Sequence, residues 1–274
     1  MRETGSRWGD DRAAAAFTFD LDADEIWRLK AERDDAWDTP ALQSRGRYGP
    51  EVAVPRILDL FERYDLRCTF FVPGVVVERW PDVIRDIHAA GHEIGHHGYR
   101  HTDPVQRLDD GRTEFEAALD VFDEVIGEKP VGYRNPAGSF TDRTRELLFE
   151  HGIRYDSSMK DADLPYTFDE EHDIVELPNS YYLDDWPYFG YNLIPQLAYQ
   201  SGITPNEPVF ESWRGEFRGQ YKRGGMFMLM MHPQAIGRAG RIDRLEELIQ
   251  TVLSTGDTYV GTCAEIADLW RENR

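Results

Sequence analysis

WPDVIRDIHAAGHEIGHHGYRH, residues 80–101, carries five of the chain's eight histidines: His88, His92, His96, His97 and His101. Histidine is an awkward core residue and the commonest metal ligand, so this density points to chemistry before packing. Two metal-like spacings stand side by side. His92-Glu93-Ile94-Gly95-His96 fits H-E-x-x-H, in which one continuous helix projects both imidazoles and the glutamate from a single face. His97-Gly98-Tyr99-Arg100-His101 is a bare H-x-x-x-H. The flanking residues separate them. Residues 81–90 already read as a complete helix, with Pro81 in its first turn and Gly91 closing it. HEIG is short and bounded by glycines, which suits a buried strand. The extended protease pattern would want a glycine and a third histidine where Tyr99 and Thr102 stand. A solvated histidine-rich loop is the remaining reading. The weight falls on a strand followed by a histidine-bearing loop.

The second spacing gains meaning from Phe17-Thr18-Phe19-Asp20-Leu21-Asp22, where the apolar run AAAAFTF ends in two aspartates one residue apart. Strand alternation puts both on one side, at or just past the strand's end. Taken alone, the pair also fits a turn or cap leading into ADEIW. Carboxylates at strand C-termini are where α/β barrels keep their chemistry. Asp22, His97 and His101 then make a three-ligand set of the open, catalytic kind. Asp20 is left as a base for a water that the metal acidifies.

Extended and helical patterns alternate along the chain, the mark of an α/β barrel. The strands are AAAAFTF, RCTFFV, HEI, VGYR, IRYD, DIVELP, MFMLMM and TYVG. Helices are expected over PRILDLFERYD, 81–90, RTEFEAALDVFDEVIG, DRTRELLFEHG with Thr141 as its cap, RIDRLEELIQTVLSTG and AEIADLW. Residues 23–50 and 180–220 break the alternation as long connections. The second opens with the aromatic stretch SYYLDDWPYFGYNLIPQLAYQ. Its Trp186, Tyr188 and Phe189 are expected either to wall a substrate pocket or to form a subunit interface. No repeat or linker divides the chain, so residues 1–274 are expected to form one domain, with residues 1–12 flexible or loosely packed.

These residues resemble the polysaccharide deacetylase (NodB-like, carbohydrate esterase family four) superfamily. Its T-F-D-x-D motif stands as Thr18-Phe19-Asp20-Leu21-Asp22 and its H-x-x-x-H as His97 to His101. R-x-P stands as Arg134-Asn135-Pro136, the fourth motif as Tyr155-Asp156-Ser157-Ser158, and L-x-x-H as Leu229-Met230-Met231-His232. CTFFVPG, GHEIGHHGYRH and DDWPYF look like the intracellular branch, with peptidoglycan-deacetylase-like proteins, cyclic imide hydrolases and allantoinase-type enzymes. The resemblance implies a distorted (β/α) barrel and hydrolysis of acetamido or related amide bonds. It implies that Asp22, His97 and His101 bind Zn²⁺ or another divalent ion such as Co²⁺, Mn²⁺ or Ni²⁺. It further implies that Arg134 pairs with Asp20, that His232 is the acid with Asp156 orienting it, and that Pro136 and Ala137 border the substrate. Three departures stand out. Gly98 replaces the usual Ser or Thr, Ala137 replaces an aromatic, and no Trp follows Asp156.

Composition narrows the partners. With 51 acidic against 31 basic residues the formal charge is −20, which repels nucleic acid and anionic membranes. MFMLMM is far short of a membrane span, and MRETGSRWGDDRAAAA lacks the apolar stretch of a secretory signal. Cys68 and Cys263 form no C-x-x-C pair. A cytoplasmic homo-oligomer, dimer or tetramer, is expected. The leading function is a metal-dependent amide hydrolase, deacetylase-like, acting on an acetylated sugar. Two alternatives stay open: a small-molecule hydrolase of cyclic imides or ureido rings, and a non-catalytic carbohydrate-binding barrel. Elemental analysis separates the two histidine spacings. His97→Ala or His101→Ala should empty the metal site, whereas His92→Ala and His96→Ala should keep it filled; metal loss in the second pair would revive H-E-x-x-H.

Overall fold

Strand β1, Ala13–Asp20, is buried along its whole length because both of its faces meet protein. Its side chains divide with period two. Ala15, Phe17 and Phe19 join one core cluster with Phe61 and Phe70, beneath the outer helices. Ala14 and Ala16 join another with Phe71, Tyr155, Met226 and Met228, the barrel interior. Thr18 and Asp20 continue that inner face. Small residues stand there because the inner face of a curled sheet is narrow.

The computed structural model describes residues 6–101, 112–136, 140–169, 171–190 and 203–274. Eight further strands follow: β2 (Thr69–Val72), β3 (Glu93–His96), β4 (Gly132–Tyr133), β5 (Tyr155–Asp156), β6 (Tyr166–Asp169), β7 (Ile174–Glu176), β8 (Met226–Met231) and β9 (Thr258–Val260). Their order is β6-β7-β5-β4-β3-β2-β1-β8, with β9 also on β1. Every pairing is parallel except β6 with β7. β1 is the hub. β8 runs along Ala14–Phe19, β9 takes Ala13–Ala15, and β2 takes Thr18–Asp20. The sheet curls into the incomplete (β/α) barrel that the alternation of the sequence leads one to expect. Among the described residues, β8 and the β6–β7 end are joined only through a connecting segment, where Asp184 makes a single parallel bridge to Met230.

The helical expectations hold closely, with helices at Val54–Arg63, Pro81–Ala89, Arg112–Ile126, Asp142–Glu150, Ala239–Thr255 and Cys263–Asn273. Thr141 caps its helix through a reciprocal capping box. Residues 23–50 are not a bare connection: they contain the helices Glu25–Ala31 and Pro40–Tyr48. The first is held by charge instead of an apolar stripe. Its buried Glu25 pairs with Arg79 and, at 2.7 Å, with Arg100, and Asp24 binds Arg28 at 2.7 Å and Arg79 at 2.8 Å. Residues 206–223 form another unexpected helix. No helix among the described residues is long and apolar enough to cross a membrane.

The helix Cys263–Asn273 closes the end of the barrel where β2 and β3 begin. Its Cys263, Ile266, Ala267 and Trp270 enter the inner cluster. The Cys263 N–H donates to Thr69 Oγ1 at 2.8 Å and the Ala264 N–H to Glu93 Oε2 at 3.1 Å. Within residues 6–12, mostly exposed, Trp8 is the buried residue: its ring lies tilted 5.9 Å from that of Trp270 and donates to the Gly224 carbonyl at 2.9 Å. Residues 1–5 lie outside the described residues.

Glu93 is the central acceptor of this floor. It takes hydrogen bonds from Thr69 Oγ1 at 2.7 Å, Tyr155 Oη at 2.8 Å and Ala264 N. The glutamate of the H-E-x-x-H spacing is therefore a bracket between β2, β3, β5 and the last helix. Glu93→Ala should destabilise the chain by about 2–4 kcal/mol, as several buried donors lose their acceptor, yet leave metal content intact. Urea midpoints and elemental analysis test both halves.

Candidate active site

The strand order places the C-terminal ends of β1, β3, β4 and β8 around one cavity of about 560 Å³, at the end of the barrel opposite the last helix. Asp20 closes β1 and Asp22 follows it. His97 follows β3, Arg134 follows β4 and His232 follows β8. His92 and His96 do not reach the cavity. His92 Nδ1 accepts the Cys68 N–H at 3.2 Å, while His96 Nε2 meets the Phe115 carbonyl at 3.1 Å. Strand alternation sends His96 away from the side that His97 faces.

The two aspartates are in different electrostatic states. Asp20 Oδ1 accepts from Arg134 Nη1 at 2.7 Å. That guanidinium is itself held by Thr18 Oγ1 at 2.9 Å, Ser157 Oγ at 3.0 Å and the face of Phe71 at 4.1 Å. Burial would raise the Asp20 pKa, but the charge and hydrogen bond of Arg134, helped by the charge of His232, outweigh it and keep the carboxyl below its ordinary range. Asp22 has no such partner. Burial pushes it up to about 6.

Neither Asp22 oxygen makes a hydrogen bond, and neither does His97 Nε2, although all three are buried. His97 Nε2 lies 3.7 Å from Asp22 Oδ1, and His101 Nε2 lies 3.6 Å from Asp22 Oδ2. These separations are too long for hydrogen bonds and too short for indifference. Asp22, His97 and His101 can each turn a ligand atom to one point. The opposite nitrogen of His97 is fixed: Nδ1 faces the Arg134 carbonyl at 2.7 Å, so the proton sits there and the Nε2 lone pair points at Asp22. Burial also drives His101 down to about 4, which keeps its imidazole neutral. One acid and two neutral imidazoles, His97 with an unused Nε2 lone pair, suit a divalent cation such as zinc.

His232 stands across the cavity, its Nε2 3.8 Å from Asp22 Oδ2. Its Nδ1 bonds Asp185 Oδ1 at 2.7 Å, and both Asp185 oxygens also accept the His232 N–H at 3.0 Å. Burial alone would lower its pKa. The hydrogen bond and charge of Asp185, helped by Asp184 and Asp22, raise it to about 10. Asp185, not Asp156, is thus the partner of His232. Asp156 is turned to the other side of the site, where Ser158 donates to it through both Oγ at 2.7 Å and N at 3.1 Å, and Glu176 shares the pocket. Ser158 Oγ in turn accepts the Asn135 N–H at 2.9 Å, so Asp156 braces the segment that follows Arg134.

The other expected wall residues divide. Trp186 lines the cavity and packs 5.0 Å from the His232 ring. Tyr188 and Phe189 turn away onto Trp213 and line a neighbouring pocket instead, because the short helix Trp186–Phe189 points successive side chains in different directions. Pro136 is buried against Gly98, and Asn135 takes the wall position. Ala137 lies outside the described residues. The glycine at position 98 has a local cause: its φ is +71° and an added Cβ would meet Pro136 Cγ at 3.0 Å. Sequence reasoning missed Asp185 and Asp184, whose signal was two adjacent acids in an otherwise aromatic stretch. It also missed Lys30, Lys160 and Asn179 in the wall, whereas Tyr181, which lines it too, opens the aromatic stretch expected there.

Carboxylates and imidazoles gathered at the strand C-termini place the chain among α/β barrels that carry a polar site at that end. A family model described as "Polysaccharide deacetylase" matches residues 48–155. A crystal structure assigned to a polysaccharide deacetylase from Mycobacterium smegmatis superposes with a TM-score of 0.88 at 37% identity, over 96% of this chain and 91% of that one. The chain belongs to the polysaccharide deacetylase (NodB, CE4) family, whose members are hydrolytic enzymes. It is 29% identical to the peptidoglycan deacetylase of Helicobacter pylori over 92% of this chain and 94% of that one. The structure of the Puue allantoinase is also similar, with a TM-score of 0.82 at 26% identity over 98% and 94% of the two chains.

The two displaced histidines give a pH dependence. Burial, with Arg67 adding, lowers the His92 pKa to about 4; burial lowers His96 to about 3 against the opposing Phe115 hydrogen bond. The unfolded chain takes up protons on both below its ordinary value of about 6.5, and the folded chain does not. Stability is therefore fully present above that value and is lost as pH falls toward 4. Each histidine contributes a slope of up to ~1.4 kcal/mol per pH unit. Urea midpoints between about pH 7 and pH 4 should fall, and His92→Gln should make the fall shallower; a flat response would contradict the assignment.

Proposed function

We propose that the chain is a metal-dependent hydrolase of non-peptide carbon–nitrogen bonds, a deacetylase acting on an acetylated sugar. One observation carries the reading: Asp22 and His97 present three buried atoms with no hydrogen-bond partner, while Asp20 beside them is satisfied by Arg134. Asp22, His97 and His101 would hold the ion, zinc or a similar divalent metal. When bound, that ion would supply Lewis acidity toward a carbonyl and make water easier to deprotonate.

Asp20 is the base. Arg134 occupies only its Oδ1, leaving Oδ2, 3.9 Å from His97 Nε2, to take a proton from the attacking water. Arg134 fixes the Asp20 rotamer and keeps the carboxylate ionised. His232 is the acid. Asp185 holds Nδ1 and keeps the ring protonated at neutral pH, so Nε2 can hand its proton to the leaving nitrogen. A binding module would need neither the base nor the acid, which counts against the non-catalytic alternative. Exposed Tyr181 and Tyr182 beside the cavity support a homo-oligomer whose partner covers them.

A second reading, hydrolysis of a small cyclic amide or ureide, is favoured by the flat Trp186 wall of the cavity and by the likeness to the Puue allantoinase. Turnover of acetylated amino sugars and of cyclic imides, each with zinc and with chelator, distinguishes the two. The deacetylase reading expects acetate release that chelation abolishes. Asp20→Asn should retain metal yet lower the rate by ~10²–10⁴; near-normal turnover in that variant would make Asp20 structural and sink the mechanism.

A further inference from the structure

Behind Trp186 lies a second pocket, of about 260 Å³, which shares that one side chain with the reactive cavity. Its wall brings Arg45, Arg238 and Arg241 together with Gln234, Trp186 and Phe189. In a chain of formal charge −20, such a convergence of guanidinium groups calls for a cause.

Arg238 and Arg241 have no carboxylate within 4.0 Å among the described residues, whereas arginines elsewhere, such as Arg79, Arg100 and Arg244, are paired. Arg238 instead lies over the Tyr48 ring at 3.6 Å. Arg241 lies over Phe189 at 4.1 Å and donates to the Ala235 carbonyl at 2.8 Å. Arg45 sits over Trp27 at 5.5 Å. Burial, and then the charge of Arg238, lower the Arg45 pKa; burial lowers that of Arg241, with Asp185 opposing and Arg238 adding to the fall.

Gln234 is an independent sign of a missing partner. It is only 5% exposed, yet neither its amide nitrogen nor its oxygen makes a hydrogen bond. A buried amide with both ends unsatisfied is costly and usually marks a site that a ligand or water completes. Aromatic faces supply the rest of the wall. The pocket falls just below the roughly 300–1,000 Å³ typical of drug-sized ligands, so its occupant is small.

We propose that this pocket is an accessory binding site for a small organic carboxylate with a flat apolar body. The guanidinium groups of Arg238 and Arg241 meet the carboxylate, the Gln234 amide donates a further hydrogen bond, and Trp186 and Phe189 flank the body. The site also adjoins the acid machinery. Asp185, which holds His232, feels the charge of Arg241, and Trp186 packs on the His232 ring from the other side.

Benzoate is the probe and neutral benzamide its control, titrated calorimetrically into the full chain in phosphate-free buffer of low ionic strength. Saturable binding of one benzoate per chain is expected, at least tenfold tighter than benzamide. Arg238→Gln, at an exposed position far from any hydrolytic role, should weaken benzoate at least fivefold and leave basal turnover unchanged. Gln234→Leu should weaken it as well. His97→Ala should keep benzoate binding, which separates this site from the reactive cavity and its Lys30 and Lys160. Equal affinity for benzamide, no saturable binding, or benzoate affinity unaffected by Arg238→Gln would each overturn the proposal.

Discussion

The buried pairing of Arg134 with Asp20 organises the barrel mouth. A guanidinium only 2% exposed is expensive to bury and is tolerated only when it is neutralised and hydrogen-bonded. Here it meets β1 through Asp20 and Thr18, the end of β5 through Ser157, and the inner faces of β2 and β8 through Phe71 and Met228. Removing one partner of such a pair costs on the order of 3–5 kcal/mol, so these strand ends stay in fixed register. The same residue's carbonyl orients His97. One arginine therefore sets the Asp20 rotamer and the His97 tautomer together.

That arrangement explains why two aspartates separated by one leucine behave so differently. They leave the same strand end, but Arg134 reaches only Asp20, while the ring of His232 stops 3.8 Å short of Asp22. Asp22 is left buried with no hydrogen bond to either oxygen, a state that a protein keeps only where something else completes it. The opposite end of the barrel has no such tension. There Glu93 accepts three hydrogen bonds, and Trp8 and Trp270 fill the floor. Stability is concentrated at one end and reactivity at the other, the division common to (β/α) barrels.

Much of this was legible because strand alternation and short motifs obey local rules. The period of AAAAFTFD put Asp20 on the inner face, and the glycines around HEIG turned a protease-like spacing into a strand. Asp185 was not legible. Its place depends on how residues 177–185 return beside β8, which no local period encodes, and the fourth motif drew attention to Asp156 instead. The helices at 25–31 and 206–223 were hidden for another reason. One is anchored by buried ion pairs, and the other buries Val209, Phe210, Trp213 and Phe217 between charged residues that dilute the pattern. Charge-anchored helices lack the stripe that periodicity detects.

The single bridge between Asp184 and Met230 gives the barrel a seam. Around β1 the strands are held by ladders of three to six residue pairs, whereas here one bridge, with the Asp185 N–H donating to the Met230 carbonyl at 3.1 Å, joins the backbone of the connecting segment to β8. Deformation gathers at the least cross-linked point of a shell. The acid pair Asp185–His232 straddles that point, while Asp20, Asp22 and His97 sit on the ladder-bound wall. Opening of the seam would thus disturb the pairing of His232 with Asp185 before it disturbed the grouping of Asp22, His97 and His101.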